Sequence, residues 1–129
     1  MTGLQVSLET ITRDERSVTL ALRGEFDLAN ISIVRIALAD HLRHGRCVIR
    51  LDMNGVEYLD STMLGVLVEA HQRCHDKGGS LILIGVPDRV RRVLRIAGLD
   101  RLLLTDGALG VGVEPGGSER LQRPAMGRD

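Results

Sequence analysis

The first part of the chain carries two short runs in which apolar and polar residues alternate. One covers residues 4–9, and the other covers residues 18–22 and ends at Gly24. A repeat of two residues indicates strands with one face towards solvent. The polar segment 12–17 between the runs predicts a turn, so the sequence begins with a β-hairpin.

From residue 28 onwards, apolar residues recur every three or four positions, which indicates amphipathic helices. The first predicted helix covers residues 28–44, with Asp27 and Asn30 as capping residues, and two more cover residues 61–77 and 87–98. The inward faces of the three helices are expected to carry Ile31, Val34, Leu38 and Leu42; Leu64, Leu67, Val68 and His71; and Val90, Val93, Leu94 and Ala97.

The remaining apolar runs predict further strands. Residues 47–51 and 81–84 are strand candidates, and residues 102–104 form a shorter third one. Segment 52–58 contains the dipeptide Asn54-Gly55, which is typical of turns, and is predicted as a loop. Since strands that alternate with helices favour a parallel sheet, we predict an α/β fold. The sheet is expected to be small and mostly parallel, with about four to five strands, and to be flanked by three or more helices.

The predicted domain ends near residue 105. Residues 106–129 are rich in glycine and proline and poor in bulky apolar residues. Such a segment buries too little apolar surface to fold by itself, so we predict a flexible C-terminal tail.

The overall composition narrows the function. The chain carries 17 basic and 17 acidic residues, and this zero formal net charge disfavours a dedicated nucleic-acid-binding protein. No apolar run approaches the roughly 20 residues of a membrane span, and the N-terminus lacks the features of a signal peptide. A cytoplasmic protein is therefore expected, with Cys47 and Cys74 as free thiols. Without an obvious self-associating stripe, a monomer is favoured.

Residue types that catalyse reactions or bind metals are present, but their patterns do not support those roles. Ser61 and Thr62 are candidate nucleophiles without a G-x-S-x-G motif. His71, Cys74 and His75 share a helical spacing, but no second Cys/His group completes a four-ligand metal site. The sequence therefore favours a protein that is not an enzyme and that holds neither metal nor cofactor.

Two features of the predicted helices have both an ordinary and a functional interpretation. The third helix carries Arg89, Arg91, Arg92 and Arg95. They suit an acidic partner or a membrane surface, but a solvated helix face is the favoured interpretation. At the start of the second helix, Asp60 and the two hydroxyl residues after it are typical of an N-terminal cap. Gly65, inside that helix, predicts close packing against a neighbouring backbone.

The same segment carries a resemblance to a known family. Residues 60–65, Asp-Ser-Thr-Met-Leu-Gly, resemble the Asp-Ser-Ser-Gly-Leu-Gly signature of STAS domains, specifically of bacterial anti-sigma factor antagonists. Residues 24–29 are similar to the Gly-Glu-hydrophobic-Asp element of that family, and residues 78–83 and 93–99 are similar to its later strand and helix. The resemblance spans residues 4–104 and implies a STAS fold.

The resemblance also implies a mechanism, called partner switching. The unmodified antagonist binds an anti-sigma factor that is itself a Ser/Thr kinase, and this binding frees a sigma factor. The kinase then phosphorylates the second hydroxyl residue of the signature, which is Thr62 here, with Ser61 as the alternative, and a phosphatase reverses the modification. The partner-binding residues implied are Asp27, Asp60, Ser61, Thr62 and Met63.

Two residues depart from the family signature. Thr62 stands where serine is usual, and Met63 stands where glycine is common. Met63 is expected at the mouth of the helix, where it either alters the kinase contact or marks a divergent member that is not phosphorylated. Two other functions stay open at this point. One is a STAS interaction module that is not phosphorylated and serves a stress-signalling or lipid-transport complex. The other is a domain that senses a nucleotide or another small ligand.

Overall fold

The alternating strands and amphipathic helices of the sequence assemble into one sheet with helices packed against it. The computed structural model describes residues 6–104. In chain order the elements are β1 (Ser7–Arg13), β2 (Ser17–Phe26), α1 (Ile31–Arg43), β3 (Val48–Leu59), α2 (Ser61–Asp76), β4 (Ser80–Ile84), α3 (Asp88–Ile96) and α4 (Asp100–Leu104). The tail predicted for residues 106–129 lies outside the described residues.

The sheet has four strands in the order β1-β2-β3-β4. β1 and β2 are antiparallel, whereas β2, β3 and β4 run parallel to one another. The predicted α/β class and the mostly parallel sheet are therefore confirmed. The hairpin turn is held by Asp14, whose carboxylate accepts hydrogen bonds from the backbone N–H groups of Arg16 (2.9 Å) and Ser17 (2.7 Å).

The loop predicted for residues 52–58 is wrong, because β3 continues through it to Leu59. β2 likewise passes Gly24 and ends at Phe26, and the two strands stay paired throughout, with two shifts of register. A Cβ atom on Gly55 would lie 3.1 Å from the carbonyl oxygen of Leu22, so the glycine permits a close, irregular approach of the strands. Gly24 and Gly55, which the sequence pattern places at the end of a strand and in a turn, belong to this irregular pairing.

One face of the sheet forms the core. Along β2, β3 and β4, buried residues alternate with residues that are partly or fully exposed. The predicted inner face of α1 is confirmed, since Ile31, Val34, Leu38 and Leu42 are all buried. Of the predicted inner face of α2, Leu67 is buried as expected, but Leu64, Val68 and His71 are only partly buried. The buried face of α2 consists of Met63, Val66, Leu67, Ala70 and Cys74.

The C-terminal part of the described chain differs from its prediction in two ways. In α3 Val90 and Leu94 are buried as expected, but Val93 and Ala97 lie on the surface. Residues 102–104 belong to the short helix α4 rather than to a strand, and Leu103 is buried against the core. An apolar run this short does not distinguish a strand from a turn of helix by its periodicity.

Among residues 6–104, no helix is long and apolar enough to cross a membrane.

The prediction that Gly65 packs against a backbone is also wrong. Gly65 is exposed, and a Cβ atom placed on it would meet nothing within 4 Å. Gly79 is the opposite case, because a Cβ atom there would overlap the backbone carbonyl group of Cys47.

These two glycines give a matched test of the packing. Gly65→Ala should raise the free energy of unfolding by about 0.5–1 kcal/mol, since it restricts the unfolded chain and improves helix propensity. Gly79→Ala should lower it by about 1–3 kcal/mol, since the new methyl group displaces backbone atoms. Urea denaturation measures both changes. Equal effects of the two substitutions would contradict the packing described.

Candidate functional site

The candidate site lies where β2 and β3 end together at the carboxyl edge of the parallel strands. The last pair in their register joins Phe26 to Leu59, and the backbone N–H of Asp60 donates a 3.2 Å hydrogen bond to the Phe26 carbonyl oxygen. The loop that begins at Asp27 and the helix that begins after Asp60 therefore start side by side. In open α/β sheets this edge is the usual location of binding sites.

Asp60 fixes the start of α2. It is the N-cap residue, with extended backbone angles, and its carboxylate accepts a 3.1 Å hydrogen bond from the backbone N–H of Met63. The Asp60 carbonyl oxygen accepts the first helical bond, from the N–H of Leu64 at 3.1 Å. This confirms the predicted cap. Within residues 6–104, the backbone N–H groups of Ser61 and Thr62 have no acceptor, so they point free at the helix start.

The three residues after the cap differ in exposure. Ser61 is exposed and Thr62 is half-buried, while Met63 has 0% of its surface exposed. The expectation that Met63 lies at the mouth of the helix is therefore wrong for its side chain, which points into the core. Met63 lies on the inner face of α2, so its side chain packs into the core. This packing holds in place the helical turn that carries Ser61 and Thr62.

The neighbouring loop after β2 is tied by side-chain hydrogen bonds. The Asp27 carboxylate accepts from the N–H of Ala29 at 3.0 Å, and the Asn30 side chain accepts from the N–H of Asp27 at 3.1 Å. Asn30 also donates to the carbonyl oxygen of Glu25 at 2.9 Å. Asn30 occupies the N-cap position of α1 but makes no side-chain cap, because its amide bonds backwards into the loop. These bonds fix the shape of the loop, and the bond from the Asp60 N–H to the Phe26 carbonyl oxygen places its start beside α2.

The site carries unpaired negative charge. Neither Asp27 nor Asp60 forms an ion pair with any residue in the described part of the chain, where the salt bridges join Asp40 to Arg43 and His44. An additional negative group at this edge would meet two carboxylates without a compensating cation.

An apolar groove of about 330 Å³ begins at the same place and was not predicted from the sequence. It is lined by Leu59, Asp60, Ser61, Leu64, Val93, Ile96 and Ala97. Ile96 is 79% exposed, and Val93 is 37% exposed. A sequence signal existed, since α3 carries more apolar residues than one buried stripe accommodates, but the prediction placed Val93 and Ala97 in the core and gave Ile96 no role.

The possible metal ligands do not form a site. Cys74 is wholly buried, and burial raises the pKa of its thiol to about 11, so the metal-binding thiolate is disfavoured at neutral pH. Burial also lowers the pKa of His71, while His75 is exposed. In the described region, no group of three or more His, Cys, Asp or Glu side chains has a geometry suited to a metal ion.

Comparison with known proteins adds to this geometry. A family model described as "Mlab, STAS domain" matches residues 9–105. A Listeria monocytogenes protein named anti-sigma-B factor antagonist is 32% identical over 100 residues, which cover 78% of this chain and 88% of that protein.

Two solved structures of SpoIIAA share the fold. The unphosphorylated form, described as an anti-sigma factor antagonist, is superimposed with a TM-score of 0.68 at 18% identity, covering 76% of this chain and 86% of the other. The phosphorylated form, from Bacillus, gives a TM-score of 0.62 at 17% identity, covering 76% and 89%.

The geometry at the helix start can be tested by replacing its cap. Asp60→Ala should lower the free energy of unfolding by about 1 kcal/mol, because it removes the acceptor for the Met63 N–H. Asp60→Asn keeps an acceptor oxygen and should have an effect several-fold smaller. Thermal and urea denaturation measure the difference. Equal losses in both variants would show that the charge of Asp60, and not its capping bond, stabilises the fold.

Proposed function

This chain belongs to the STAS-domain family, as its sequence resemblance predicted, and we propose that it acts by partner switching on an anti-sigma factor. In its unphosphorylated form it binds an anti-sigma factor that is also a Ser/Thr kinase, and a sigma factor is released. The kinase phosphorylates Thr62, the complex dissociates, and a phosphatase restores the starting form. The protein thereby regulates transcription in the cytoplasm, as a monomer, rather than catalysing a reaction.

The observation that carries this proposal is the position of Thr62 at the capped start of α2. Thr62 is partly exposed beside the fully exposed Ser61, and the Asp60 cap fixes the turn that carries it. A helix N-terminus accommodates a phosphate favourably, because the helix dipole and the free N–H groups there attract anions. The fold can therefore accept phosphorylation at Thr62 without rearranging.

The same phosphate would prevent binding. It adds a charge of about −1.5 to −2 at neutral pH, beside the unpaired carboxylates of Asp27 and Asp60. A partner packed over these residues would have to desolvate that charge without a matching cation. A penalty of about 4 kcal/mol weakens binding roughly a thousandfold. The added charge at the surface thus suffices for a switch.

The buried Met63 and the tied Asp27 loop contribute a stiff surface to this partner interface. Met63 holds the turn that carries Thr62 from below, since its side chain is buried. The loop presents Asp27 from the side. SpoIIAA supports the compatibility of such a fold with phosphorylation, because both of its forms resemble this chain.

The alternatives predict different partners. A STAS module that serves another complex would bind its partner regardless of phosphorylation, and a ligand-sensing domain would gain thermal stability from its ligand. Neither requires Thr62 to control binding.

The proposal is tested by affinity capture from the cytosol of the native host, with Thr62→Ala and Thr62→Glu as baits and mass spectrometry to identify what they retain. The Ala bait should retain a protein with an ATPase-type kinase fold. The Glu bait should capture about a hundredfold less of that protein. Ser61→Glu is the matched control, because it adds the same charge one residue before Thr62. Its effect should be smaller if Thr62 is the modified residue, and larger if Ser61 is.

Equal capture by the two Thr62 baits would contradict partner switching through this residue. Capture of non-kinase proteins alone would favour the unphosphorylated interaction module instead.

A further inference from the structure

We propose that the groove between α2 and α3 binds a helical segment of the partner protein that has one apolar face bordered by acidic side chains. This inference rests on the proposed function, because it names the chemistry by which the same partner would recognise the chain. It adds a second contact region beside the hydroxyl groups at the start of α2.

The groove is lined mainly by apolar side chains. Leu64 and Leu59 line one wall, and Val93, Ile96 and Ala97 line the other. Ile96 leaves 79% of its surface exposed although large apolar side chains gain free energy from burial. A cleft of about 330 Å³ between two helices suits the side chains of an amphipathic helix laid along it.

The charge beside the groove specifies the partner. Arg89 and Arg92 precede Val93 and Ile96 by four residues, so they lie on the groove side of α3. Both are exposed, and neither forms an ion pair within residues 6–104. Basic side chains bordering an apolar cleft complement a segment that carries Asp or Glu next to its apolar face.

The groove is continuous with the proposed switch. Asp60 and Ser61 line its end, and Thr62 is the next residue. A segment bound in the groove would end beside the hydroxyl group that is phosphorylated, with its acidic residues on the side of Arg89 and Arg92 and away from Asp60. Phosphate at Thr62 would then repel the segment directly, which links the chemistry of the partner to its release.

The position of the groove favours a protein segment over a lipid surface. Asp60 and Ser61 line its end, so an occupant of the groove is continuous with the surface proposed to bind the anti-sigma factor.

The test uses site-specific photocrosslinking in cells of the native host. The photoreactive residue p-benzoylphenylalanine replaces Ile96 in the groove, and a separate protein carries it at Gln72, an exposed position of α2 outside the groove. The crosslinked peptide is identified by mass spectrometry. Position 96 should attach to a protein segment with apolar residues at helical spacing and neighbouring Asp or Glu, and position 72 should not.

Charge reversal on α3 supplies matched variants. Arg89→Glu with Arg92→Glu should lower the crosslinking yield at position 96 about tenfold, because it replaces attraction by repulsion. Arg91→Glu with Arg95→Glu makes the same change of net charge on the outer side of α3, and should change the yield by about twofold or less.

The absence of a crosslink at position 96 would overturn the inference. So would a crosslink to a phospholipid, to a second copy of this chain or to a basic segment. Equal effects of the two arginine pairs on the crosslinking yield would also overturn it. Its failure is distinct from that of the switch. A crosslink that depends on Arg89 and Arg92 but persists with Thr62→Glu supports the groove and contradicts switching. If capture depends on Thr62 but no crosslink forms at position 96, the result supports switching and contradicts the groove.

Discussion

The continuous pairing of β2 with β3 brings the Asp27 loop and the start of α2 together at one edge of the sheet. Because the two strands remain paired up to Phe26 and Leu59, the Asp60 N–H reaches the Phe26 carbonyl oxygen and the following segments start together. If β3 ended at Asp52, with β4, the start of α2 would have no fixed position relative to Asp27. The glycines at positions 24 and 55 allow the irregular pairing that this extension requires.

From that edge outwards, the structure separates groups that hold the fold from groups that are available to a partner. Met63 and the Asp60 cap stabilise the first turn of α2 from inside, whereas Ser61 and Thr62 face outwards on it. Gly65 lowers the stability of α2 relative to alanine, and a Cβ atom at this position would contact nothing in the described part of the chain. A surface whose backbone is fixed from inside in this way suits recognition in which a single added group decides binding.

The sequence predicted the elements whose signal is periodic and long. The stripe of α1 and the alternation of β2 each follow from the burial of one face, so the α/β class and the helix at Ser61 were predictable. The wrong predictions arose where a short sequence motif occurs in two different kinds of structure. Asn54-Gly55 permits a turn but also a kinked strand, and only the partner strand decides between them.

The candidate site was predictable only in part for the same reason. The capping residues at the start of α2 are local in sequence, and Asp60 caps the helix as expected. The burial of Met63 and the groove at Ile96 depend on how α2 and α3 pack, which periodicity does not specify. A Met beside a polar cap and an Ile among arginines have no sequence signal that separates a core position from a surface one.

The central claim is that phosphorylation at Thr62 changes the binding surface while the fold stays the same. The most direct measurement is a comparison of backbone amide NMR spectra of the protein with threonine and with genetically encoded phosphothreonine at position 62. The account predicts shift changes confined to residues near the start of α2, the Asp27 loop and the groove, with the amides of β3 and β4 unaltered. Shifts spread through the sheet, or a loss of dispersed signals, would contradict it, because they would show that the switch works by refolding.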